Sequence, residues 1–99
     1  MKRVGIISIL LFILSCNFAS ATTVLTCVIS GNVGQMHFAN KGDRPDFNCK
    51  AHCEWLSAST RFTGDFNGFD IYKNENKTRW SKDYGQKLLK AEKASLTCN

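Results

Sequence analysis

The number and spacing of the cysteines constrain the fold of this chain of 99 residues more than any other feature. Five cysteines are present, and the first, Cys16, lies in an N-terminal segment that we expect to be removed. The remaining four are Cys27, Cys49, Cys53 and Cys98. An even set of cysteines in a short exported chain is typical of a disulfide framework, so we predict two disulfides.

The N-terminal segment has the organisation of a secretory signal peptide. Lys2 and Arg3 supply positive charge, residues 4–14 form an apolar run, and residues 19–21 read Ala-Ser-Ala. Signal peptidase accepts small residues in that last pattern. The run of eleven residues spans only about half of a bilayer core as a helix, so we expect no membrane span. The sequence predicts a signal peptide over residues 1–21 and a secreted or periplasmic product.

A second processing route is left open by the same segment. Residues 13–16 read Ile-Leu-Ser-Cys and resemble a bacterial lipobox, in which the cysteine is lipidated and becomes the first residue. Leu14 departs from that pattern, which prefers a small residue. This route predicts a protein anchored through Cys16, and it leaves the same four cysteines to pair.

Cleavage after Ala21 leaves residues 22–99, which are enough for one small domain with a thin core. The pairing order is open, but a bond between Cys49 and Cys53 is the least favoured. On a strand these two residues lie about 13 Å apart, beyond the reach of one disulfide. No second metal-binding motif accompanies them, so we predict neither a metal nor a cofactor.

The strongest secondary-structure signal is the alternation of apolar and polar residues over residues 47–55. Period two predicts a half-buried strand with Phe47, Cys49 and Trp55 on one face. A helix is the alternative, because Ala, Lys, His and Glu are poor strand formers. Residues 67–68, Asn-Gly, predict a hairpin turn. The predicted fold is a small antiparallel all-β domain stapled by disulfides, or an α+β domain with one short C-terminal helix within residues 81–93.

Positive charge is concentrated near the C-terminus. The formal charge of +5 falls to +3 when Lys2 and Arg3 leave, and residues 73–99 hold seven basic against three acidic side chains. Such a patch favours anionic surfaces, and aromatic residues among cations suit stacking on sugars or insertion at a membrane interface. A solvated lysine face with a core tryptophan is the other interpretation. The candidate contact residues are Arg79, Trp80, Lys82, Lys87, Lys90 and Lys93.

Few residues suggest chemistry beyond binding. Asn76 begins an N-glycosylation sequon, which matters in a eukaryotic source. His37 and His52 are the only histidines, and the neighbouring Cys53 is expected to be oxidised and therefore not nucleophilic. We therefore do not expect an enzyme.

These features predict an exported, cysteine-paired binding module whose partner is an extracellular protein, a glycan or another anionic surface. Nucleic acid is not an expected partner. The alternative prediction is a secreted cationic toxin or antimicrobial protein that acts on anionic membranes.

Overall fold

The computed structural model describes residues 22–99; the predicted signal peptide and Cys16 lie outside this range. The described chain forms six strands: β1 (Thr23–Ser30), β2 (Val33–Asn40), β3 (Asp46–Ser57), β4 (Arg61–Ile71), β5 (Asn76–Asp83) and β6 (Leu88–Thr97). The all-β prediction is confirmed. The alternative C-terminal helix does not form, because residues 81–93 belong to β5, a turn and β6. Over residues 22–99, no helix is long and apolar enough to cross a membrane.

The strands form two antiparallel three-stranded sheets. Sheet A has the order β1-β2-β5, and sheet B has the order β4-β3-β6. The sheets pack face to face, with Met36 and Phe38 of β2 and Ala51 and Trp55 of β3 completely or almost completely buried. The core of the sandwich therefore lies between its two central strands.

β3 follows the predicted alternation from Cys49 onward. Cys49, Ala51, Cys53 and Trp55 are buried, whereas the residues between them point outward from sheet B. Burial between two sheets therefore prevails over the weak strand propensity of the alternate Lys, His and Glu residues.

Both disulfides end on β3. Cys27 in β1 bonds Cys53, which joins sheet A to sheet B, and Cys49 bonds Cys98 just after β6. The structure thus fixes the order left open by the sequence and confirms that Cys49 and Cys53 do not bond each other. Sequence separations of 26 and 49 residues predict a few kcal/mol of stabilisation from each bond, on the order of 3–4 kcal/mol.

The predicted hairpin turn at Asn67-Gly68 is wrong. β4 continues through these residues, and Gly68, at a φ of 72°, is an extra residue opposite the register shift between Cys49 and Lys50 of β3. Hairpin turns and β-bulges both use a glycine with positive φ, so the dipeptide alone does not distinguish them.

Two tryptophans and two glycines fill one half of the core. The rings of Trp55 and Trp80 are stacked, with centroids 6.0 Å apart and an angle of 5° between their planes. A Cβ atom at Gly64 would lie 2.5 Å from Trp80, and one at Gly34 would lie 2.9 Å from Trp55. The ring stack therefore requires glycine at both positions.

Candidate binding surface

Arg79, a predicted contact residue, is engaged within the domain. Its guanidinium donates to the carbonyl oxygen of Asp70 at 2.7 Å and to Glu75 at 3.0 Å. It also lies 5.9 Å and 5.7 Å from the ring centroids of Phe66 and Phe69. These contacts hold β5 beside the edge of β4.

Trp80 and Lys82 extend the same contact between β5 and sheet B. Trp80 is half-buried against Trp55. Lys82 lies 5.3 Å from the centre of the Tyr84 ring, and the Tyr84 hydroxyl donates to the carbonyl oxygen of Thr63 at 2.6 Å. The aromatic and cationic residues of this segment are therefore used to pack one side of the sandwich.

The other three predicted contact residues lie elsewhere. Lys87 lies in the loop between β5 and β6, and Lys90 and Lys93 lie on β6. β6 is the edge of sheet B opposite β4, so β3 separates these lysines from the segment that packs against β4. The structure does not bring the six predicted residues into one patch.

Asn76, the predicted glycosylation site, is exposed at the first residue of β5. Its side-chain oxygen lies 2.6 Å from Nε2 of His37, whose other ring nitrogen lies 3.2 Å from the Thr78 hydroxyl. The position is accessible, and glycosylation stays a prediction.

A polar network crosses the outer face of sheet B. His52 of β3 lies 2.9 Å from Glu54 and 2.6 Å from Asp65 of β4, one carboxylate at each ring nitrogen. Hydrogen bonds to Glu54 and then Asp65 raise the pKa of His52 above its usual 6.5. The bond from His52, followed by that from Arg61, lowers the pKa of Glu54. The network therefore favours the protonated form of His52 and the ionised form of Glu54.

Arg61 continues this network toward β6. Its guanidinium lies 2.9 Å from Glu54 and 3.4 Å from Glu92, and Glu92 lies 3.7 Å from Lys90. Lys90 therefore belongs to a row of alternating charges. Among residues 22–99, no cluster of three or more His, Cys, Asp or Glu side chains has the arrangement of a metal site.

Two exposed aromatic residues lie at one end of sheet B. Phe47 of β3 is 50% exposed and Tyr72, directly after β4, is 64% exposed. A bulge places Phe47 and Asn48 together opposite Asp70 of β4. The carboxylate of Asp70 accepts a hydrogen bond of 3.0 Å from the backbone N–H of Asn48. We call Phe47, Asn48, Asp70 and Tyr72 the aromatic corner.

Two lysines flank the aromatic corner. Lys50 points outward from β3, and Lys73 follows Tyr72; both are exposed. Within the described part of the chain, neither lysine forms a salt bridge with an acidic side chain. The backbone N–H of Asn99 donates to the carbonyl oxygen of Phe47 at 2.9 Å, which fixes the backbone of β3 at the corner. The corner therefore combines apolar rings, polar groups and available positive charge.

Sequence reasoning missed the aromatic corner because of one residue. Strict alternation from Cys49 places Phe47 on the inner face, but Asn48, at a φ of 49°, is an extra residue that turns Phe47 outward. Asparagine tolerates positive φ better than most residues, so Asn48 was the available signal.

Comparison with protein-family models, curated proteins and solved structures finds no match to this chain.

Proposed function

We propose that this protein is an exported binding module that contacts its partner through the aromatic corner. The observation that supports this function is the exposure of Phe47 and Tyr72, which directly follow the paired residues Asp46 and Ile71 at one end of sheet B. The other aromatic residues of the described chain are buried or half-buried: Phe38, Phe62, Phe66, Phe69, Trp55, Trp80 and Tyr84. Exposed aromatic side chains combine large apolar area with low conformational entropy and are enriched where proteins bind ligands.

The proposed ligand is an acidic glycan. The rings of Phe47 and Tyr72 offer apolar surface to sugar rings, and the polar side chains of Asn48 and Asp70 offer hydrogen bonds to hydroxyl groups. Lys50 and Lys73 add positive charge beside them. A few polar groups around an apolar contact are what orient a small ligand in a protein site.

Two intramolecular disulfides are typical of extracellular and periplasmic proteins, because those compartments are oxidising. This supports export. The proposed role is binding alone and includes no catalytic step.

The binding test uses the oxidised protein and two charged oligosaccharide probes, one sulfated and one composed of uronic acids, with an uncharged oligosaccharide for comparison. We expect the charged probes to shift NMR signals of the corner. Phe47→Ala and Tyr72→Ala should each weaken binding by about tenfold or more. Leu89→Ala and Val24→Ala are matched controls, since these apolar side chains are 59% and 61% exposed but lie outside the corner.

Equal binding by wild type, Phe47→Ala and Tyr72→Ala would contradict the proposal. Leakage of anionic lipid vesicles that survives both substitutions would instead favour the cationic toxin or antimicrobial alternative. An immobilised protein partner lost on Tyr72→Ala but retained on Leu89→Ala would keep the corner as the contact surface and replace the glycan as ligand.

A further inference from the structure

The buried carboxylate of Asp46 accepts hydrogen bonds from the first two residues of the described chain. Asp46, at the beginning of β3, is only 7% exposed. It accepts hydrogen bonds from the backbone nitrogen of Thr23 at 2.9 Å and from the Thr23 hydroxyl at 2.6 Å. The backbone nitrogen of Thr22 lies 3.2 Å from Oδ1 and 3.0 Å from Oδ2 of the same carboxylate. All of these donors come from two consecutive residues.

The side chain of Thr22 is in close contact with Asn40 and Gly42. Its hydroxyl lies 2.9 Å from Oδ1 of Asn40, a side chain only 2% exposed. Asn40 is itself fixed by the Gly42 amide at 2.9 Å and by the carbonyl oxygen of Arg44 at 3.1 Å. A Cβ atom at Gly42 would lie 2.7 Å from the Thr22 side chain. The Thr22 side chain is therefore closely packed and hydrogen-bonded at this site.

A buried carboxylate is costly unless hydrogen bonds and a positive charge compensate it. Among residues 22–99, no lysine, arginine or histidine forms a salt bridge with Asp46. The backbone group that lies within hydrogen-bonding distance of both of its oxygens is instead the Thr22 nitrogen. In an intact chain that nitrogen is a neutral amide with a single hydrogen.

We propose that Asp46 is the receptor for the α-ammonium group of Thr22, which cleavage after Ala21 creates. In that step a peptidase adds water to the carbonyl carbon of Ala21, and the carbon–nitrogen bond to Thr22 breaks. Ala21 keeps the oxygen of water as a carboxylate, and the Thr22 nitrogen gains hydrogens and becomes an ammonium. This inference rests on the proposed export and is independent of the aromatic corner.

The ammonium fits the observed geometry better than the amide does. It carries three hydrogens, so separate N–H groups can point at Oδ1 and Oδ2 of Asp46, which the single amide hydrogen has to share. It also supplies the positive charge that the buried carboxylate lacks, and charge-assisted hydrogen bonds are about twice as strong as neutral ones. Processing therefore completes the polar cluster of Asp46, Asn40, Thr22 and Thr23.

The first test is the intact mass of the exported protein, made from the full precursor. A chain that begins at Thr22 is expected. A lipid-modified chain that begins at Cys16, or any other start, overturns the proposal.

The second test inserts Gly-Ser between Ala21 and Thr22 in the precursor, so that the processed chain carries two extra residues and Thr22 keeps an amide. We expect the equilibrium constant for unfolding to rise about tenfold, because the Thr22 nitrogen loses its charge next to Asp46. In the Asp46→Asn background the same insertion should have little effect. An insertion that leaves the unfolding midpoint unchanged in the wild-type background overturns the proposal.

A third measurement does not depend on the Asp46 variant being folded. Acetylation of the Thr22 α-amino group removes its charge and adds no residue with a side chain, and it should reproduce the destabilisation caused by the insertion. Full stability of the acetylated protein would also overturn the proposal.

Discussion

Two carboxylate clusters in this domain have similar geometry but different surroundings. Asp46 accepts from the Thr23 hydroxyl at 2.6 Å and Asp65 lies 2.6 Å from His52, yet Asp46 is 7% exposed and the side chain of Asp65 is 59% exposed. In the buried cluster, a lost acceptor leaves donors without water to replace it. In the exposed cluster, water takes the place of any lost partner. Burial, rather than distance, therefore decides how much each cluster stabilises the fold.

The largest contrast is expected between Asp46→Ala and Asp65→Ala. The first leaves the Thr23 amide and hydroxyl buried without an acceptor, and we expect a loss of about 3 kcal/mol or more. The second removes an exposed partner of His52 and should cost less than about 1 kcal/mol. Denaturant unfolding of both variants measures the difference. Similar losses would show that burial does not separate the two clusters.

Asn40→Ala should have an intermediate effect. Its side chain bonds Thr22, Gly42 and Arg44 inside the buried cluster, so we expect a loss of about 1–3 kcal/mol. Asn67→Ala on the exposed part of β4 is the control and should change the unfolding midpoint little. A larger loss from the control than from Asn40→Ala would contradict the assignment of Asn40 to a structural role.

The exposed network should be visible in the pH dependence of stability. The folded pKa of His52 is raised, so its contribution is complete below the unfolded value of about 6.5. The contribution is lost as the pH rises through the higher folded value. The stability difference between wild type and His52→Gln should therefore be larger near pH 5.5 than above about pH 8. Chemical unfolding of both proteins across this pH range measures the difference in stability. A difference that does not change with pH would show that the protonation of His52 does not contribute to stability.

The smallest effect expected is that of salt. Arg61 bridges Glu54 and Glu92 on an open face, and at about 1 M salt the screening length falls to about 3 Å. The stability difference between wild type and Arg61→Ala should shrink as sodium chloride is added, whereas that between wild type and Asp46→Ala should persist. If salt reduces both differences equally, the Asp46 cluster is more open to solvent than its burial indicates.

The sequence predicted the all-β, disulfide-linked fold but neither the disulfide pairing nor the aromatic corner. The spacing of Cys49 and Cys53 made a bond between them the least favoured pairing. The alternation of apolar residues favoured a strand over a helix for the segment that forms β3, because the side chains of a half-buried strand repeat every two residues. Pairing order depends on which outer strand packs over β3, and that is a property of the whole sandwich. Strand pattern alone therefore left Cys27 and Cys98 interchangeable.

The candidate binding surface was missed for a local reason. A single extra residue, Asn48, reverses the face on which Phe47 lies, and the alternation upstream of Cys49 gave no sign of it. The sequence also placed Arg79 and Trp80 in a contact patch because they are neighbours in the chain. In the folded protein their side chains reach the edge of β4, which only the three-dimensional packing of β5 defines.

The arrangement of the two disulfides affects what a protease can do to this domain. Their loops overlap only between Cys49 and Cys53, since one bond spans residues 27–53 and the other spans residues 49–98. A single cut at any peptide bond between Cys27 and Cys98 therefore leaves both fragments covalently linked. The nicked molecule keeps its mass apart from one added water, and its strands stay tethered beside their partners, so one proteolytic event cannot divide the domain.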